Sequence, residues 1–174
     1  MVYPVNICKR ALKRRKGIEM SGLSIGHIGI HVPSIDEELK FLYILGAKLT
    51  ATDTMKNGVK VAFVSLDGAR HHTIALFEDG QKIPSGNSRT KGTGLHHIAI
   101  PVESRDIVLR WQQILENNGI KITGPSIQGP DGGGLSNGSG SYSIFFQDPN
   151  GICFEIYTGA MSVSEFKAYK EAAR

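Results

Sequence analysis

Only two cysteines occur in 174 residues, Cys8 and Cys153, and they form neither a C-x-x-C pair nor a zinc-type spacing. That excludes a disulfide framework and a structural zinc knuckle, so both thiols are read as reduced, as in a cytosolic protein. Aromatic residues are scarce, at 7% with one tryptophan. No apolar run reaches the roughly 18 residues that a membrane helix requires, and the N-terminus lacks the apolar core of a secretory signal. The length suits one compact domain, or two small repeats sharing a core, with enough apolar surface to fold without a metal or a disulfide.

The formal net charge of +4 raises the question of a nucleic-acid partner, and the position of the charge answers it. Six of the twenty Lys and Arg residues fall in one stretch: Lys9, Arg10, Lys13, Arg14, Arg15 and Lys16. Without residues 1–19, which hold those six and Glu19, fourteen basic residues stand against fifteen acidic ones. The body is close to neutral, and no nucleic-acid or membrane partner is expected. Residues 1–22 are read as a basic, disordered tail. Organelle targeting is the alternative for a cytoplasmic protein, weakened by Pro4 and the shortage of serine, and Met20 is an alternative start.

A repeat emerges at the level of pattern. Residues 25–33 read Ile-Gly-His-Ile-Gly-Ile-His-Val-Pro, and residues 95–102 read Leu-His-His-Ile-Ala-Ile-Pro-Val. Both look like short strands ending at a turn. After the first, Ser34-Ile-Asp-Glu37 spells a capping box that opens a helix through about Ile44, before Gly46. After the second, Ser104 precedes a helical run of Ile107, Val108, Trp111, Ile114 and Leu115 that Gly119 ends. Strand-like runs follow at 47–52, 60–66 and 71–77, then at 120–123, 142–146 and 152–157, so both halves are βαβββ. Asp148-Pro-Asn-Gly151 marks a turn between the last two. The fold class is α+β, with modules at about 23–80 and 93–158. The glycine-rich segment Gly129–Gly140 is a long connection or a lid, and Ser162 opens a packing helix within 159–174.

All six histidines fall in predicted strands, at 27, 31, 71, 72, 96 and 97. His27 and His97 occupy the same place in the repeat, so a local twofold would bring their imidazoles together. Phe154-Glu155-Ile156-Tyr157 aligns with Ile74-Ala75-Leu76-Phe77. A carboxylate inside an apolar strand is costly unless paired or metal-bound, so Glu155 requires a partner, whereas Ala75 offers no further ligand. Two imidazoles and one carboxylate, with open positions for substrate, form the set used by mononuclear Fe(II) oxygenases. The same set holds Mn(II), and a zinc version stays open. His72 is a candidate acid or base or else a strand-edge histidine, although strict alternation would put His71 on the face of Ala75. His31 supports the ligands from behind or faces solvent, and His96 points away from the face of His97.

Three segments carry a resemblance: Gly26-His-Ile-Gly-Ile-His-Val32, Gly94-Leu-His-His-Ile-Ala-Ile100 and Phe146-Gln-Asp-Pro-Asn-Gly-Ile-Cys-Phe-Glu155. Over residues 23–158 the chain resembles the vicinal oxygen chelate superfamily, which includes glyoxalases, methylmalonyl-CoA epimerases, fosfomycin-resistance transferases and extradiol dioxygenases. The resemblance implies paired modules forming a half-open barrel around a metal held by His27, His97 and Glu155. Glyoxalase I and the epimerases carry a fourth ligand where this chain has Ala75. The segment Arg70-His-His-Thr-Ile-Ala-Leu is similar to extradiol dioxygenases, which implies an acid-base role for His72 and ring cleavage of a small catechol by Fe(II) and O₂. Counting back from Glu155 puts that family's tyrosine on Phe145, with Tyr142 as the nearby substitute. The expectation is therefore a cytoplasmic dioxygenase-like oxidoreductase, a homodimer, using Fe(II) ahead of Mn(II), Zn(II) or Ni(II). A metal-dependent lyase or isomerase, or a Mn-dependent thiol transferase, is the alternative.

Overall fold

The structure, a computed structural model, describes residues 24–79, 95–128 and 139–172. The first half folds as β1 (Ile28–Val32), α1 (Ile35–Ile44), β2 (Lys48–Thr54), β3 (Lys60–Ser65) and β4 (Ile74–Glu78). The second repeats that order as β5 (Ile98–Pro101), α2 (Arg105–Asn117), β6 (Ile122–Gln128), β7 (Ser141–Gln147) and β8 (Cys153–Thr158). A last helix, α3, covers Val163–Ala172. The basic tail and most of the glycine-rich segment lie outside the described residues. No helix among the described residues is long and apolar enough to cross a membrane.

The helices start and stop where the local chemistry requires. Ser34 Oγ accepts the Glu37 N–H at 3.3 Å, and Ser104 Oγ accepts the Ile107 N–H at 3.4 Å. The reciprocal half of a capping box forms at α3, where the Ser162 N–H donates to Glu165 Oε2 at 2.7 Å. At α1 the free first-turn N–H of Ile35 is taken instead by Glu78 Oε2 of β4, at 2.9 Å. Gly46 and Gly119 end the two module helices in the left-handed region, at φ 78° and 77°.

Each module makes one four-stranded sheet, ordered β1-β4-β3-β2 and β5-β8-β7-β6. The opening strand lies parallel to the last strand of its module, and the other pairs are antiparallel. The register preserves the repeat: Gly29, Ala75 and Phe63 form one row, and Ala99, Glu155 and Phe145 form its counterpart.

Both sheets give one face to a single core. Ile30, Val32, Ala62, Val64, Ile74 and Leu76 of the first sheet join Ile98, Ile144, Phe146, Phe154 and Ile156 of the second, with Leu39, Phe41 and Leu42 of α1 and Val108 and Leu115 of α2. Phe41 is the hinge of that packing, with its ring centroid 5.4 Å from Phe154 and 6.2 Å from Phe146. The other face of each sheet is turned away from the shared core, and the two sheets do not close into one barrel within the chain. The expected packing role of the last helix needs revision: α3 forms, yet none of its residues is buried.

Candidate metal centre

The row that holds Glu155 also fixes its partner. Glu155 lies on β8 opposite Ala99 of β5, and His97 precedes β5, two residues before Ala99. His97 Nε2 stands 3.1 Å from Glu155 Oε2, with side-chain exposures of 32% and 10%. The Phe145 ring meets His97 edge-on at 5.8 Å and walls the pair. A mostly buried carboxylate against one partly exposed imidazole presents two donors side by side.

The first module builds the matching corner. His27 precedes β1 as His97 precedes β5, and its ring lies 4.6 Å from that of His72. Phe63, the counterpart of Phe145, is 4.9 Å from His72. Arg70 ties the two segments together: its Nη1 donates to the Gly26 carbonyl at 3.1 Å and its Nε to Asp67 Oδ2 at 2.7 Å. Backbone and Arg70 hydrogen bonds hold the Asp67 carboxyl far below the ordinary carboxylate range. Partial desolvation first, and the His27 and His71 rings next, push the His72 pKa below its ordinary value, so at neutral pH the ring is an uncharged base.

Several sequence expectations change here. Of the six histidines, only His31 lies inside a strand; the others sit in the segments just ahead of β1, β4 and β5. Strand alternation therefore does not extend to His71 and His72, and His72 is the one beside His27. His96 does not turn away from His97: their Nδ1 atoms lie 2.7 Å apart. His31 is on the face of Gly29, largely exposed, and pairs with Asp79 at 3.5 Å, so it reaches neither corner. Tyr142 has the opposite parity to Phe145, joins Ile144 and Phe146 on the core face, and lies under the Arg105 guanidinium at 5.0 Å. It is not beside Glu155. Ala75, buried at the register of Glu155, supplies no donor. Phe63 and the Arg70 clamp escaped the sequence reading, and Phe145 entered it only as the place of the extradiol family's tyrosine; the alignment of Phe63 with Phe145 was a usable signal.

The three expected donors are not brought together in one chain. Among the described residues no group of three or more His, Cys, Asp or Glu side chains is close enough to hold a metal ion. Glu155 and Phe145 alternate with the core residues Ile144, Phe146, Phe154 and Ile156 and so lie on the face of their sheet away from the shared core. A cleft of about 500 Å³ runs between the modules, lined by His27, Arg70, Ile98 and Pro101 among others.

Comparison with solved structures finds the same fold. The fosfomycin resistance protein FosX from Listeria monocytogenes, solved with Mn(II) and sulfate, is 23% identical over 84% of this chain and 98% of its own, with a TM-score of 0.53. A glyoxylase/bleomycin resistance protein/dioxygenase domain from Frankia sp. EAN1pec is 21% identical over 86% and 99%, with a TM-score of 0.62. FosX from Mesorhizobium loti is 16% identical over 90% and 100%, with a TM-score of 0.54. The family pattern that matches runs from residue 24 to residue 156, across both modules. The repeated βαβββ order, the matched rows and that span together place the chain in the Glyoxalase/Bleomycin resistance protein/Dioxygenase superfamily.

Proposed function

We propose that this chain is a metal-dependent enzyme for a small molecule presenting two adjacent oxygens, and that a second copy completes its centre. The observation that carries this reading is the 3.1 Å contact of His97 with Glu155 on an outward face. His27 occupies the equivalent place in the repeat, just ahead of β1, so a homodimer pairing unlike modules would give each centre His97 and Glu155 from one copy and His27 from the other. Two imidazoles and a carboxylate suit Mn(II) or Fe(II), and a FosX relative carries Mn(II). A divalent ion held there would act as a Lewis acid on the paired substrate oxygens. His72, whose ring lies tilted against that of His27 at 4.6 Å, would take or give a proton. Phe63 and Phe145 keep water from the two corners.

Addition to, or isomerisation of, such a substrate without O₂ is the better reading, because Tyr142, the nearby substitute for the tyrosine of the extradiol dioxygenases, lies on the core side of its sheet. Ring cleavage by Fe(II) and O₂ is the second reading, favoured by the position of His72. Epoxides, α-ketoaldehyde thiol adducts and catechols offered to Mn(II)-loaded and Fe(II)-loaded protein, under argon and in air, separate them. Turnover under argon supports the first, O₂ uptake with a catechol supports the second, and metal binding with neither refutes an enzyme of this class. For the substrate that turns over, His72→Asn is expected to lower kcat by about a hundredfold, the usual range for a lost acid or base, with metal affinity unchanged.

A further inference from the structure

Away from both corners, a pair of carboxyl groups is buried where the two modules meet. Glu38 falls in the apolar stripe of α1, with Ile35, Leu39 and Leu42, and is fully buried. A carboxyl in such a place is neutral or paired. Its Oε2 accepts from Asn150 Nδ2 at 2.8 Å, across 112 positions of sequence. Its Oε1 is buried and meets no donor among the described residues.

Asp148, at the turn between β7 and β8, is in the same condition. Oδ1 accepts the backbone N–H groups of Asn150 at 2.8 Å and Ile152 at 2.7 Å, whereas Oδ2 is buried without a donor. Each carboxyl is the titratable group that bears on the other. Lys121 lines the 460 Å³ cleft next to Asp148, and Asn150 contributes the amide that touches Glu38. Two facing acceptors with no donor between them are satisfied at once if a single proton lies between the carboxyls.

We propose that Glu38 and Asp148 share one proton, and that this acid pair is a pH-sensitive latch holding α1 of the first module against the β7–β8 turn of the second. With the proton present, one carboxyl donates to the other and the pair carries a single negative charge. Without it, two carboxylates face each other in the core.

Burial, and then the Asp148 charge, push the Glu38 carboxyl up to about 8 from its usual 4.5. A group with a raised folded pKa contributes fully below its unfolded pKa. The contribution declines as pH rises past that value and is lost above the folded one. Each pKa unit is a tenfold change in the folding equilibrium, so the latch is expected to shift that equilibrium on the order of a thousandfold between pH 5 and pH 9.

Urea unfolding of the full chain across that range, beside Glu38→Gln, tests the latch. Glutamine supplies an amide N–H to Asp148 and does not titrate, and the ionisable groups outside this pair are common to both proteins. The ratio of their folding constants is expected to change on the order of a thousandfold, with wild type losing relative stability as pH rises. A ratio constant with pH overturns the proposal. Should the variant not fold, carbon-13 NMR of the wild-type carboxyls decides: a Glu38 resonance titrating well above the ordinary carboxylate range supports the latch, and one titrating near 4.5 overturns it.

Discussion

Replacing Glu155 with glutamine is expected to weaken Mn(II) binding by more than about a hundredfold, because loss of a direct ligand should exceed the 10- to 100-fold cost of losing an outer-shell partner. The same change is expected to leave the metal-free chain as stable as before, or slightly more so. Glu155 is 7% exposed, on a strand flanked by Phe154 and Ile156, and faces the His97 imidazole. A buried carboxylate with that little compensation opposes folding, and a neutral amide of the same shape removes the opposition. Opposite signs for affinity and stability distinguish a residue kept for a ligand from one kept for packing. Calorimetric titration and urea unfolding on the same preparations read both. A loss of several kcal/mol in the metal-free form, with unchanged affinity, would assign Glu155 to the core instead.

Phe154→Ala is expected to have the largest effect on stability, about 3–5 kcal/mol. Its side chain is wholly buried, stacked on Phe146 at 5.9 Å and tilted against Phe41 of α1 at 5.4 Å. The cavity would open at the joint between the modules, where neither sheet can collapse without dragging α1 with it. For a chain of this size a loss of that order lowers Tm by roughly 10 °C or more. Tyr142→Phe, which keeps the apolar ring on the same face, is the comparison expected to show little change. A Phe154→Ala Tm within about 3 °C of wild type would mean that the modules do not depend on this core.

The repeat was legible because local chemistry writes it twice. Serine caps before each helix, a glycine after it, and an Asp-Pro-Asn-Gly turn all specify backbone geometry within a few residues. The equivalence of Ala75 with Glu155, inferred by alignment, is the register that the sheets adopt. What the alignment could not give was the relation between the modules. The same twofold that matches His27 to His97 is consistent with their meeting in one chain or in two, and only the shared apolar core decides the orientation. The strand assignment of the histidines erred for a related reason: the apolar alternation of β1, β4 and β5 begins after them, and their own positions are set by Arg70, Gly26 and ring contacts.

Parity could have corrected Tyr142 in advance, since residues three apart on a strand face opposite ways. Glu38 gave a clearer warning: a carboxylate in the helical stripe of Ile35, Leu39 and Leu42 requires a partner, and it finds one 110 positions away at Asp148, the turn residue, beyond the reach of any local pattern.

The assembly of the centre from two copies is tested most directly by mixing two defective chains. His27→Ala and Glu155→Ala variants, each unable to bind Mn(II) tightly alone, are combined and the mixed dimer isolated by two affinity tags. If His27 acts across the dimer, one of the two centres in the mixed species has every donor intact. One tightly bound Mn(II) per two chains is the expected result. No bound Mn(II) in the mixed dimer, with a full complement in the wild type, would contradict it and return all three donors to a single chain.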